Sequence, residues 1–136
     1  MDYLHTHPDA VIQFHTSDMI IYIESDASYL VLPQTRSRVV SIFYLSNATY
    51  ARPPLNGAIQ VIFKNLQNIF SSAAKAETGG IFISDQQAVP IVTALYKLNH
   101  PQPAKGNHIS TENSTAKGIL TANLHQKISK AFNMKY

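Results

Sequence analysis

Residues 19–45 read MIIYIESDASYLVLPQTRSRVVSIFYL. Met19 to Glu24 is an apolar, β-rich run suited to a buried strand, and the run stops at Ser25 and Asp26. A polar turn, YLVLPQTRSR, separates it from a second strand at Val39 to Leu45. The first strand thus leaves an acid, Asp26, at its carboxyl end, where ligands gather in open α/β sheets.

Beyond the second strand, NATYARPPLNG supplies paired prolines and a glycine, all strong breakers, before a third strand at Ala58 to Phe63. Ser71 and Ser72 are N-cap candidates for a helix through Glu77 toward Ile83. Gly79 and Gly80 sit inside it, each costing up to about 1 kcal/mol relative to alanine. Asp85 is placed to cap a second helix, whose Ala88, Ile91, Val92, Leu95 and Leu98 share one face and whose Pro90 falls in the second turn. NHPQPAKGN reads as a loop, His108 to Thr111 as a short fourth strand, and Thr115 to Ala122 and Leu124 to Tyr136 as helical segments. Three adjacent strands suggest antiparallel hairpins, and the helical crossover lets the fourth lie parallel beside the first. The expected fold class is therefore α/β: a mixed sheet of three antiparallel strands plus a parallel fourth, flanked by helices. Residues 1–18 lack steady periodicity and read as a connector into a domain at 19–136.

At 136 residues and 45% hydrophobic, the chain suits one domain with a single core. It has no cysteine, which excludes a disulfide framework, a thiolate zinc site and a cysteine nucleophile. The apolar run Met19 to Ile23 is far short of the ~20 residues a membrane span needs. No basic-then-apolar signal peptide opens the chain, so the expectation is a soluble intracellular protein without membrane partners. A net charge of +3 favours a polyanionic partner only modestly. Lys117, Lys127, Lys130 and Lys135 crowd the last quarter, against Glu112 alone. No nucleophile elbow and no glycine-rich phosphate loop is present.

Three acids end or open predicted elements: Asp26, Glu77 and Glu112. Each has an ordinary role available: a turn-forming Asp, a solvated helix residue, and an acid favouring the N-terminus of the next helix. Yet the neighbours of Glu77, SSAAKAETGG, are small enough to let its helix approach the sheet and aim the carboxylate inward. Converging, the three would make an all-oxygen site suited to magnesium or manganese. Two such ions can activate water and stabilise the leaving oxygen in phosphodiester cleavage. His5 and His7 have no further ligands nearby that would complete a zinc site.

The stretches SDASYL, SSAAKAE, AVPI, HPQP and ENSTAKGI…QKISKAFNMKY, in that order and spacing, resemble the ribonuclease H domain of the reverse transcriptase region in copia-type LTR retrotransposon polyproteins. The resemblance runs from about Tyr3 to the last residue, with the first 18 residues similar to the connection from the polymerase. It implies a ribonuclease H-like fold, a two-magnesium centre, and hydrolysis of the RNA strand of RNA/DNA hybrids. Residue by residue, it implies catalytic and metal-binding roles for Asp26, Glu77 and Glu112. Ser28, Asn113 and Ser114 fall among the nucleic-acid contacts it implies, and charge adds Lys127 and Lys130.

The chain departs from the family at Lys75, where the family has a first glutamate, and at Glu112, where it has aspartate. The family's fourth acid follows a further strand beyond the position of Tyr136. The resemblance thus implies a truncated, degenerate copy with impaired cleavage and with His108 to Thr111 as an exposed sheet edge open to self-association. It also implies the polymerase region as a neighbour and a cytoplasmic retrotransposon particle, or the nucleus, as location. The alternative is a non-catalytic nucleic-acid-binding or structural module of the same fold. A third reading, a small unrelated α/β binding protein, predicts no metal dependence and no salt-sensitive affinity for hybrid.

Overall fold

A computed structural model describes residues 5–47, 53–103 and 108–120. Strands β1 (Ile20–Leu32), β2 (Arg36–Ser46) and β3 (Ala58–Asn65) form an antiparallel meander. Helix α1 (Ala73–Lys97) crosses over, β4 (His108–Ser110) returns parallel to β1, and α2 (Ser114–Leu120) follows. The sheet order is β3-β2-β1-β4, so the open mixed sheet expected from the sequence is present. No helix among the described residues is long and apolar enough to cross a membrane. The segment predicted helical at Leu124 to Tyr136 lies outside the described residues.

Both hairpin strands outrun their sequence signals. β1 does not stop at Asp26: Ser25, Asp26 and Ala27 pair with Ser41, Val40 and Val39. A long ladder to β2 overrides the weak strand preference of Ser-Asp-Ala-Ser, because strand propensity is mostly a matter of neighbours. The polar turn shrinks to a single turn of 3-10 helix, Pro33–Thr35, with Gln34 at φ 62°, and β2 begins at Arg36. The register shifts between Ser28 and Leu32, where Leu30 adopts φ 54° and its N–H donates to Ser37 Oγ at 3.2 Å. Such an irregularity strengthens local twist, here in the stretch just after Asp26.

The two predicted helices are one, 25 residues or roughly 37 Å long. Ser72 caps it as expected, its Oγ accepting the Lys75 N–H at 3.3 Å. Ala74, Glu77, Ile81, Ser84 and Ala88 are buried at a spacing of three and four, and Leu95, seven residues on, continues the same stripe. Asp85 is therefore a mid-helix surface residue and not a cap. Pro90 removes a donor only where Gln86, four residues back, is exposed and its carbonyl can turn to water. Leu98 leaves the apolar face altogether, 67% exposed beyond the last turn. Asn99 at φ 65° ends the helix, with His100 N–H donating to the Leu95 carbonyl and Asn99 N–H to that of Tyr96. That pair of bonds is a Schellman cap, and Pro101 prevents continuation.

The glycines read as weak points are contact points. A Cβ on Gly80 would stand 2.7 Å from Val39 Cγ2 at the heart of β2, and one on Gly79 would meet the ring of Phe70 at 2.7 Å. Helix and sheet thus meet through small groups: Gly80, Ala88, and a buried trio of hydroxyls in which Ser41 Oγ and Ser84 Oγ lie 2.6 Å apart with Ser25 beside them. Gly80→Ala is expected to lower stability by about 1–2 kcal/mol, since overpacking exceeds the gain in helix propensity. Gly79→Ala, facing a ring that can tilt, should be neutral or slightly stabilising; urea titrations of both variants check the difference.

The main core joins Ile21, Ile23, Phe43, Ala88 and Leu95, and a second cluster joins Ala27, Val39, Leu66, Phe70 and Ala76. On the opposite face of the sheet, Tyr22 stacks on both Tyr44 and His108. Among the described residues the connector is tied to the β2–β3 loop at Asp18, whose N–H donates to Asn47 Oδ1 at 3.0 Å, and more extensively at His15. The side chain of Asn56 accepts the N–H groups of His15 (2.8 Å) and Gly57 (2.8 Å) and donates to the carbonyls of His15 (2.9 Å) and Leu45 (2.7 Å).

Candidate functional site

The side of β1 that faces β4 can be followed bond by bond. At its start, Gln102 from HPQP accepts the Ile21 N–H at 2.9 Å and donates to the Met19 carbonyl at 2.9 Å, imitating a strand. Tyr22, Ile23 and Glu24 then pair with β4. β4 ends at Ser110 while β1 runs on, and there the Ala27 N–H donates to the carboxylate of Glu77. Buried backbone donors must find partners, and this one finds an acid on a helix in place of a strand.

Glu77 is 5% exposed. The Thr111 hydroxyl donates to its Oε2 at 3.3 Å, and the Asp26 carboxyl lies within hydrogen-bonding reach. Burial raises the Glu77 pKa above the ordinary carboxylate value, and the negative charge of Asp26 pushes the same way. The Ala27 N–H and Thr111 hydroxyl oppose the rise without cancelling it. Asp26 itself is exposed, in mid-strand, with its backbone paired to β2. The outcome is one buried and one wet carboxylate side by side at the point where β1 and β4 part.

Of the three acids singled out in the sequence, the structure thus brings two together. Glu112 is exposed and does not join them, because the chain turns away after Thr111 into the cap of α2. Among the described residues, no group of three or more His, Asp or Glu side chains is placed to share a metal ion. Asn113 serves as the cap, its Oδ1 accepting the Ala116 N–H at 2.9 Å, and Ser114 opens the helix. Ser28 is exposed on β1 opposite Arg38. Arg38 was not among the sequence candidates. Its guanidinium lies 4.5 Å from the Phe63 ring centre and Nε donates to Asn65 Oδ1 at 3.0 Å. Lys127 and Lys130 lie outside the described residues.

A cavity of about 570 Å³ is bounded by the end of β3 and by α1, with Leu66, Phe70, Ile81, Phe82 and Leu120 in its lining. Neither Asp26, Glu77 nor Thr111 lines it. No family model, no curated protein and no solved structure matches the chain.

Proposed function

We propose that this chain is a ribonuclease H-like domain of copia-type retrotransposon origin, whose ancestral reaction, metal-dependent hydrolysis of RNA in RNA/DNA hybrids, is impaired. The observation that carries the reading is the meeting of Asp26 and Glu77 at the open edge of β1. Acids from a strand and a crossover helix, remote in sequence, need a reason to sit together at an energetic cost. The strand order, with a parallel β4 reached through α1, supports the same reading.

The donors fit one divalent cation. Asp26 and Glu77 are hard oxygen ligands, and two carboxylates held side by side gain most from a bound positive charge. A magnesium or manganese ion there would supply an activated water and charge stabilisation at the scissile phosphate. Glu77 would hold it from the buried side and Asp26 from the solvent side. Glu112 lies away from them, so the donors of a second ion are not gathered, which is the physical ground for impaired cleavage. Ser28, Asn113, Ser114, Lys127 and Lys130 would contact the hybrid, with the polymerase region of the same polyprotein as neighbour in a cytoplasmic particle. The outer position of β4 would allow self-association.

One observation favours the second reading, a non-catalytic nucleic-acid-binding or structural module of this fold. Glu77 also closes the β1 edge through Ala27, a role that requires no metal. A labelled RNA/DNA hybrid, incubated with purified chain in magnesium and then manganese, separates the two. The expected result is slow cleavage, faster in manganese, absent in Glu77→Gln, with hybrid binding that weakens as salt rises. Salt-sensitive binding with no cleavage in either metal favours the second reading, and no hybrid binding at all refutes the nuclease reading and leaves only the structural form of the second.

A further inference from the structure

Thr111, absent from the candidates read in the sequence, closes the gap between β4 and the acid pair. It is 4% exposed, and its hydroxyl oxygen accepts the Asn113 N–H at 3.3 Å. A hydroxyl has one proton and two lone pairs, so with a lone pair taken by Asn113 the proton is directed to Glu77 Oε2, 3.3 Å away. Asn113 is itself fixed at both ends, its Oδ1 by the Ala116 N–H and its carbonyl by the Lys117 N–H. A continuous series of hydrogen bonds therefore runs from the first turn of α2 through Asn113 and Thr111 to the Glu77 carboxylate.

We propose that Thr111 is the positioning residue of the acid pair: its hydroxyl fixes the plane of the Glu77 carboxylate so that a divalent cation can be shared with Asp26. The proposal rests on the reading of Asp26 and Glu77 as the cation-holding pair. A carboxylate held only by the Ala27 N–H can still rotate about its last torsion, and a second donor from another element stops that rotation. The 3.3 Å separation is longer than the 2.5–3.0 Å usual for O–H···O bonds. The contact thus has room to shorten when Glu77 is held ionised by a cation. A local Ser/Thr turn would explain the Asn113 bond alone. It does not explain why the hydroxyl proton points across to a buried carboxylate on α1.

The test is manganese binding by the purified chain, followed by electron paramagnetic resonance of free Mn²⁺ and by calorimetry, for wild type, Thr111→Val and Thr111→Ser. Loss of an outer partner of a metal ligand typically costs 10–100-fold in affinity. The expected result is a loss of that size in Thr111→Val and recovery toward wild type in Thr111→Ser, with circular dichroism unchanged in both. Equal affinity in wild type and Thr111→Val overturns the positioning role alone, and so does a loss that serine does not restore. A flat titration in the wild type overturns the acid-pair reading and this role with it. Should Thr111→Val fail to fold, Thr111→Ala replaces it, and equal affinity there overturns the role in the same way.

Discussion

Replacing Phe43 with alanine lowers the unfolding free energy by about 3–5 kcal/mol, the cost of emptying a large aromatic site in a core that can collapse only partly. Phe43 is 0% exposed and packs with Ile21, Ile23, Ala88 and Leu95, so the void would lie between the two central strands and the middle of α1. Strand ladders on both sides of β2 hold its backbone in place and prevent the neighbours from closing in. Domains of this kind have only 5–15 kcal/mol to lose. A urea titration followed by far-ultraviolet circular dichroism is therefore expected to show a midpoint collapsed toward zero denaturant with unchanged slope. Phe63→Ala is the control: the ring is 65% exposed and its specific partner is the Arg38 guanidinium, a contact worth about 0.5–1 kcal/mol. A Phe43→Ala loss no larger than that of the control would refute the packing described for the main core.

Glu77→Gln is expected to raise stability at neutral pH while abolishing any stabilisation by manganese. The sign follows from linkage. Burial raises the Glu77 pKa in the folded chain above its ordinary value of 4.5, so the folded state binds more protons than the unfolded state between the two values. Stability contributed by this group is thus fully present below the ordinary value and is lost as pH rises through the folded one. Glutamine imitates the protonated form: it keeps an acceptor for Ala27 and gains a donor toward Asp26. Its unfolding free energy should be flat across the window in which that of the wild type falls. Manganese works in the opposite direction, replacing the proton and stabilising the ionised wild type more as pH rises. At a hundred times its dissociation constant the ion adds about 2.7 kcal/mol, or roughly 10 °C in thermal midpoint for a chain of this size. Parallel melting curves against pH, with and without manganese, check both halves. A manganese shift that survives in Glu77→Gln would remove Glu77 from the site.

The meander and the parallel return of the fourth strand were legible because apolar runs, the breakers Pro53, Pro54 and Gly57, and a long crossover leave few other topologies. The helix was not legible as one unit. Asp85 looks like the cap of a second helix when only local chemistry is counted, Gly79 and Gly80 look like weak points, and only the distance from Gly80 to Val39 shows that a missing Cβ is required there. Asp26 illustrates the converse, since pairing with Val40 carries the strand past the residue at which its own sequence says stop. At the site, the small residues around Glu77 foretold its inward direction. Nothing local foretold the outward direction of Glu112, because one residue of difference at a strand end exchanges the inside for the outside. Thr111 and Glu112 are adjacent, and the structure buries the first and exposes the second.

The Asn56 side chain uses its full set of four hydrogen-bonding positions, and two of them are spent on His15. The stretch before β1 is consequently not a slack tether. The backbone of His15 is held against the β2–β3 loop in one orientation. Through the same side chain that hold extends to the carbonyl of Leu45, near the end of a central strand. Asn56→Ala would release His15 and leave the Asp18–Asn47 bond and the sheet itself intact.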